Sequence, residues 1–184
     1  MANHPKTRDD VMRDTLDHVA RVRQLVQNVS FDLIKRAGDH DRSKFSEEEF
    51  PLFAEATPAL HRLTYGSPEY RAALKSIKPA VDHHYEWNRH HPEWHKGGIH
   101  DMTLADLIEM LADWKAATER HDDGDLVLSI VQNGKRFGYD RTFATMLINT
   151  AKFYGWITHG QANQFEEEWD KAFNQFISTN ATQG

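Results

Sequence analysis

A histidine and an aspartate stand side by side in Ala37-Gly38-Asp39-His40-Asp41-Arg42-Ser43-Lys44-Phe45. A neutral imidazole and a carboxylate can be aimed at one cation, and further histidines can complete such a site or build a second beside it. A store of them lies downstream, in His83-His84-Tyr85-Glu86-Trp87-Asn88-Arg89-His90-His91-Pro92-Glu93-Trp94-His95. Six of the chain's twelve histidines crowd residues 83–100, interspersed with aromatic and acidic residues. The chemistry this implies is metal-dependent hydrolysis. Mixed imidazole and carboxylate ligation suits one or two ions of Mn, Fe, Co, Ni or Zn better than an all-oxygen Mg site.

The neighbouring candidates each carry a blander alternative. His18 is read as facing inward among Val11, Val22, Leu25 and Val29, either as a satisfied core histidine or as a metal ligand. It precedes His40 by about six helical turns, so antiparallel neighbours could bring the two together. Lys44 is either a surface lysine near Glu47 and Glu48 or a contact for a phosphoryl oxygen. His84, Asn88 and His91 fall at i, i+4 and i+7 and share a face if the helix continues to Pro92. His83 and His90 then share a face rotated by about 100°. His84 and His91 are assigned to the site, with the reverse pair as the competing assignment. Glu93 and His95, after Pro92, are expected to close over it. Tyr85, Trp87 and Trp94 read as packing residues. Asp106, Glu109 and Asp113 form a carboxylate stripe of the kind that is usually solvated, and Asp113, bordered by small and apolar residues, is the member expected to be partly buried.

Helices must position these groups, because almost every segment has helical periodicity and none alternates with a period of two. Met12, Leu16, Val19, Val22, Val26, Val29, Leu33 and Ala37 recur at three- and four-residue steps, ending near Gly38. Ser46-Glu47-Glu48-Glu49 has capping-box spacing before Pro51, and Ser67-Pro68 opens another helix. Pro79 should interrupt the run that enters the histidine cluster. Thr103 caps a helix towards Ala117, a polar connector spans 121–125, and helices are expected over 126–132, 140–154 and 161–176. The expectation is one all-α domain over 1–177 with a frayed tail at 178–184.

Composition narrows the classes. A chain of 184 residues can bury a core without staples, and with no cysteine there is neither a disulfide framework nor a thiolate metal site. A formal charge of −6 argues against an extended nucleic-acid surface. No apolar run is long enough to span a bilayer, and the first residues lack a secretory signal, so a cytoplasmic location is expected. Oligomeric state is left open.

The ordered set His18, His40-Asp41 and Asp113 resembles the His…His-Asp…Asp signature of the HD-domain metal-dependent phosphohydrolases. His40-Asp41-Arg42-Ser43-Lys44 is similar to that superfamily's His-Asp-x-x-Lys segment, and the extra histidines resemble those of members holding two metals. The chain also resembles an uncharacterised family of phages and bacteria through its His-Asp-x-Ser-Lys-Phe and His-His-x-x-x-Asn-x-His-His-Pro-Glu motifs. The superfamily likeness implies an HD-like helical bundle with metal held by His18, His40, Asp41 and Asp113. It also implies hydrolysis of a phosphomonoester or phosphodiester, often a nucleotide. Asp41 would orient the hydroxide, Lys44, or more weakly Arg89, would neutralise the phosphate, and His84, His91 or Glu93 would protonate the leaving oxygen. Two other readings share the scaffold: a di-iron oxygenase, and a non-catalytic nucleotide- or protein-binding module.

Overall fold

The computed structural model describes residues 6–60, 62–63, 67–120 and 124–180, with side chains as far as residue 173. It is all-α, with eight α-helices and no strand among the described residues. The chain's contacts gather into two compact units, Met1–His40 and Asp41–Gly184.

The first unit is one helix, α1 (Arg8–Asp39), opened by a capping box in which Thr7 and Asp10 satisfy each other's backbone N–H groups. It ends one residue later than the sequence suggests, with His40 as its C-cap in an extended conformation. None of its residues is buried. The inward orientation expected of His18 is therefore not found, and its ring is exposed.

In the second unit the order is α2 (Phe50–Leu60), α3 (Pro68–Ser76), α4 (Lys78–Trp87), α5 (Leu104–Thr118), α6 (Leu126–Phe137), α7 (Arg141–Phe153) and α8 (His159–Asn180). Short 3-10 turns lie at Arg42–Phe45, Pro92–Trp94 and Gly98–Asp101. The expected start signals hold: Ser67 caps α3 with Pro68 in its first turn, Thr103 and Asp106 form a capping box on α5, and Pro79 occupies the first turn of α4. Pro51 is tolerated because it falls at the second position of α2, where its missing N–H has no intrahelical partner. The frayed tail expected at 178–184 is helix to Asn180, and its remainder lies outside the described residues, as does the connector at 121–123.

Helices α6, α7 and α8 supply the core, where Ile130, Val131, Leu147, Ile148, Phe165 and Trp169 are buried together. At Gly134 an added Cβ would lie 2.9 Å from the Trp169 ring, so the hydrogen side chain is what lets α6 and α8 approach so closely. Gly138 closes α6 in the left-handed conformation, φ 74°. Burying these aliphatic and aromatic side chains stabilises the unit by roughly 1.5–3 kcal/mol each.

The carboxylate stripe on α5 is not a solvated face. Asp106 is fully buried, Glu109 nearly so, and Asp113 half-buried. Asp106 accepts from the Thr103 backbone and hydroxyl, and both of its oxygens take hydrogen bonds at 3.1 Å from Arg89. Arg89 also lies over the Trp94 ring, 4.6 Å from its centroid. This residue is thus a clamp between the histidine segment and α5, which corrects its candidacy as a phosphate contact.

Asp106→Ala should destabilise the folded protein by about 2.5–4 kcal/mol, from about 1 for the lost capping-box contacts and about 1.5–3 for charge-assisted hydrogen bonds. A urea midpoint within error of the parent would refute the clamp.

Candidate metal centre

Four side chains of the second unit converge. Asp41, His84, His90 and His91 each offer a ligand atom, and these atoms all lie within 4.8 Å of one another. His84 Nε2 stands 3.2 Å and His90 Nε2 3.5 Å from Asp41 Oδ1, while His84 Nε2 and His91 Nε2 are 2.9 Å apart. His84 and His90 are buried. This group could hold a metal ion.

The histidines reach it by a route the sequence pattern does not disclose. α4 ends at Trp87, four residues before the expected stop, and Asn88 turns extended at φ −118°, ψ 103°. A helix continued to residue 91 would drive the Pro92 ring against the Asn88 carbonyl. Asn88 covers the helix end, giving both its backbone N–H and its side-chain amide to the His84 carbonyl. The same amide donates to Ser43 Oγ at 2.7 Å. Beyond it the chain turns, with the His91 N–H on the Asn88 carbonyl. Helical register therefore does not link His91 to His84, nor His90 to His83. The turn sends both His90 and His91 to the side of His84, which a straight helix could not do. His90, expected to face away with His83, is a member of the group.

Buried carboxylates fix the imidazoles from behind. Glu49, fully buried, places Oε2 3.0 Å from His84 Nδ1 and Oε1 2.7 Å from His83 Nδ1. Glu109 Oε1 lies 3.3 Å from His90 Nδ1. With Nδ1–H given to a carboxylate, Nε2 keeps its lone pair for a cation, the arrangement typical of metal-binding histidines. His91 has no such carboxylate hydrogen bond and is governed by its surroundings. Burial, then the neighbouring His90 and His84, push its pKa down to about 3, against the pull of Asp113 and Asp41. Glu49 and Glu109 were missed as site residues: the first reads as a capping-box acid, the second as part of a solvated stripe. Their sequence signal is only that each lies near an apolar helix face.

Asp41 has the left-handed backbone conformation, φ 54°, and no other non-glycine residue among those described has a positive φ. Aspartate tolerates this region better than most residues, and such strain collects at functional positions. Lys44, one turn on, pairs with Asp41 Oδ2. Asp113 offers a carboxylate oxygen within 4.8 Å of one from Asp41. His18 and His40 belong to the first unit.

A pocket of about 580 Å³ opens beside His84 and His91. Lys44, Arg71 and Arg136 put three cations on its lining, and Phe53, Tyr70 and Tyr85 put aromatic faces there. Glu93 does not join the metal group; its carboxylate is held at 2.5 Å by Arg136. His95 does not close over the site either, since it is buried with Nε2 2.9 Å from the Arg89 carbonyl. Trp87, expected to pack, is 69% exposed and stacks on His83.

The model of a family of unknown function (DUF5662) matches residues 7–179. No curated protein and no solved structure matches the chain.

The pKa of His91 fixes a pH dependence for the metal-free protein. Its folded pKa lies below the unfolded value of 6.5, so the unfolded chain binds the proton first. The stability contributed by neutral His91 is complete above about pH 6.5 and falls as pH drops towards 3. In His91→Gln, the thermal midpoint of metal-free protein should lose part of its slope across that window. An unchanged slope would contradict a neutral buried imidazole.

Proposed function

The chain belongs to this DUF5662 family, and from the geometry of its second unit we propose that it is a divalent-metal-dependent phosphohydrolase. The observation that carries this reading is the convergence of Asp41, His84, His90 and His91 beside a pocket lined by Lys44, Arg71 and Arg136. Three imidazoles and one carboxylate form a donor set for Mn, Fe, Co, Ni or Zn. When bound, such an ion is a Lewis acid that polarises a phosphoryl oxygen and brings the pKa of a water towards neutrality.

The chain's own residues supply the rest. Glu49 and Glu109 hold His84 and His90 in the ligating tautomer. Asp41 is both ligand and hydrogen-bond acceptor, placed to orient a water. Lys44, paired with Asp41, and the guanidinium groups of Arg71 and Arg136 meet phosphoryl oxygens and offset charge as it develops. Phe53, Tyr70 and Tyr85 give the pocket faces on which a nucleobase can lie, which favours a nucleotide as substrate. Of the segment that resembles the HD-domain signature, Asp41 and Lys44 take the roles this reading needs, while His40 is not one of the four donors.

The test is metal analysis of the purified protein followed by phosphate release across nucleotides and phosphodiesters. Bound transition metal and release from at least one nucleotide are expected. Asp41→Asn keeps a residue that tolerates the left-handed backbone, and should lose metal and roughly 100-fold or more in activity while staying helical. Lys44→Ala should retain metal yet lose roughly 100- to 1000-fold in kcat/KM. Protein that takes up no metal, or metal-loaded protein that releases no phosphate, would sink the reading. Dioxygen consumption by iron-loaded protein without phosphate release would assign the centre to oxygenase chemistry instead.

The tuning of the ligands is tested separately. Glu49→Gln should weaken metal binding by about 10- to 100-fold with the helical signal intact. Unchanged metal affinity would show that the carboxylate serves packing alone.

A further inference from the structure

From α1 alone we infer that the protein is a homodimer joined by antiparallel pairing of this helix with its copy. Helix α1 runs for 32 residues, roughly 48 Å, and buries none of them. Its apolar side chains are nonetheless arranged for burial. Leu16 is 61% exposed, Val26 59%, and Met12, Val19, Val22 and Val29 are all exposed as well. Val19, Val22, Val26, Val29 and Leu33 advance by three and four residues in alternation, the spacing of a coiled-coil seam; Val11, Leu25, Phe31 and Ile34 are exposed apolar residues of the same helix outside that series.

The stripe is nearly symmetric about its middle, which is what selects a second copy as the occupant. Reversing the helix about the point between Val22 and Arg23 places Met12 opposite Leu33, Leu16 opposite Val29, and Val19 opposite Val26. A two-fold contact requires such self-complementarity. Charge agrees. Residues 8–17 carry four carboxylates against two arginines, whereas residues 21–39 carry four cations against two carboxylates, Asp32 and Asp39. The helix dipole accounts for acids in the first turn and bases in the last, but its influence fades within a turn; Asp14 pairs with Lys6, which leaves Asp17, Arg21 and Arg23 unexplained. Antiparallel pairing sets the acidic half of each helix against the basic half of the other. Parallel pairing would set like against like.

The full chain should sediment with a mass near twice 21.3 kDa at micromolar concentration. Val19→Glu combined with Val26→Glu should reduce this to one chain; both positions are exposed, so helicity by circular dichroism should hold. Orientation can be read by oxidative cross-linking, because the natural chain has no cysteine. Val22→Cys protein should cross-link to itself. Met12→Cys protein should not, but should cross-link when mixed with Leu33→Cys protein. A monomeric parent chain, a dimer that survives both glutamates, or self-cross-linking of Met12→Cys would each overturn the inference. None of these readouts depends on metal or phosphatase activity, so the inference stands or falls apart from the proposed function.

Discussion

A fully buried carboxylate is what the candidate centre is built around. Glu49 cannot sit in the interior uncompensated, because desolvating an ion costs several kcal/mol. Its two oxygens are met by the Nδ1 nitrogens of His83 and His84, consecutive residues on one helix. That pairing ties the start of α2 to the last turns of α4, fixes the tautomer of His84, and thereby sets where the Nε2 of that ring points. Ser43 and Asn88 fill the remaining space around the same imidazole, so the turn carrying Asp41 and the turn carrying His90 and His91 are referenced to one ring. The Asp41 turn and the His90–His91 turn are thus both arranged around the ring that Glu49 holds.

Two carboxylate–imidazole pairs, at Glu49 and at Glu109, serve the same end by different routes through the fold. Asp106 does something else with the same chemistry: it anchors a helix start and a guanidinium, with His95 Nε2 3.9 Å from its Oδ2. Three carboxylates held largely out of solvent thus divide into two glutamates that tune imidazoles and one aspartate that holds the histidine segment against α5. The difference lies in their partners, which only tertiary packing supplies.

Much of the helical order is legible in the sequence because it is local. Thr103, Ser67-Pro68 and Pro79 act through neighbouring backbone groups, and the structure places each where those interactions require. That His84, His91 and Asp41 could hold a metal ion is legible too, since suspecting them needs no exact geometry. What escaped was non-local. The end of α4 at Trp87 depends on Pro92 acting back along the chain, and with that end the pairing of His90 with His83 on a face away from the site is lost. Glu49 and Glu109 looked like ordinary helix acids because nothing in a linear string says which carboxylate a distant imidazole will need. His18 is exposed because apolar neighbours on one helix, Val11, Val22, Leu25 and Val29, do not by themselves supply a surface to be buried against.

The pocket beside the histidines has walls of unequal firmness. Arg136, Gln132 and Asn133 project from α6, whose other side is locked into the core by Ile130, Val131 and the close approach at Gly134. Phe53, Tyr70, Arg71 and Leu74 come from α2 and α3, neither of which buries a single residue. Segments with so little interior contact open at far lower free energy than the core does. Molecules of different girth would thus be admitted by displacement of the α2–α3 side, while the guanidinium of Arg136 keeps its station.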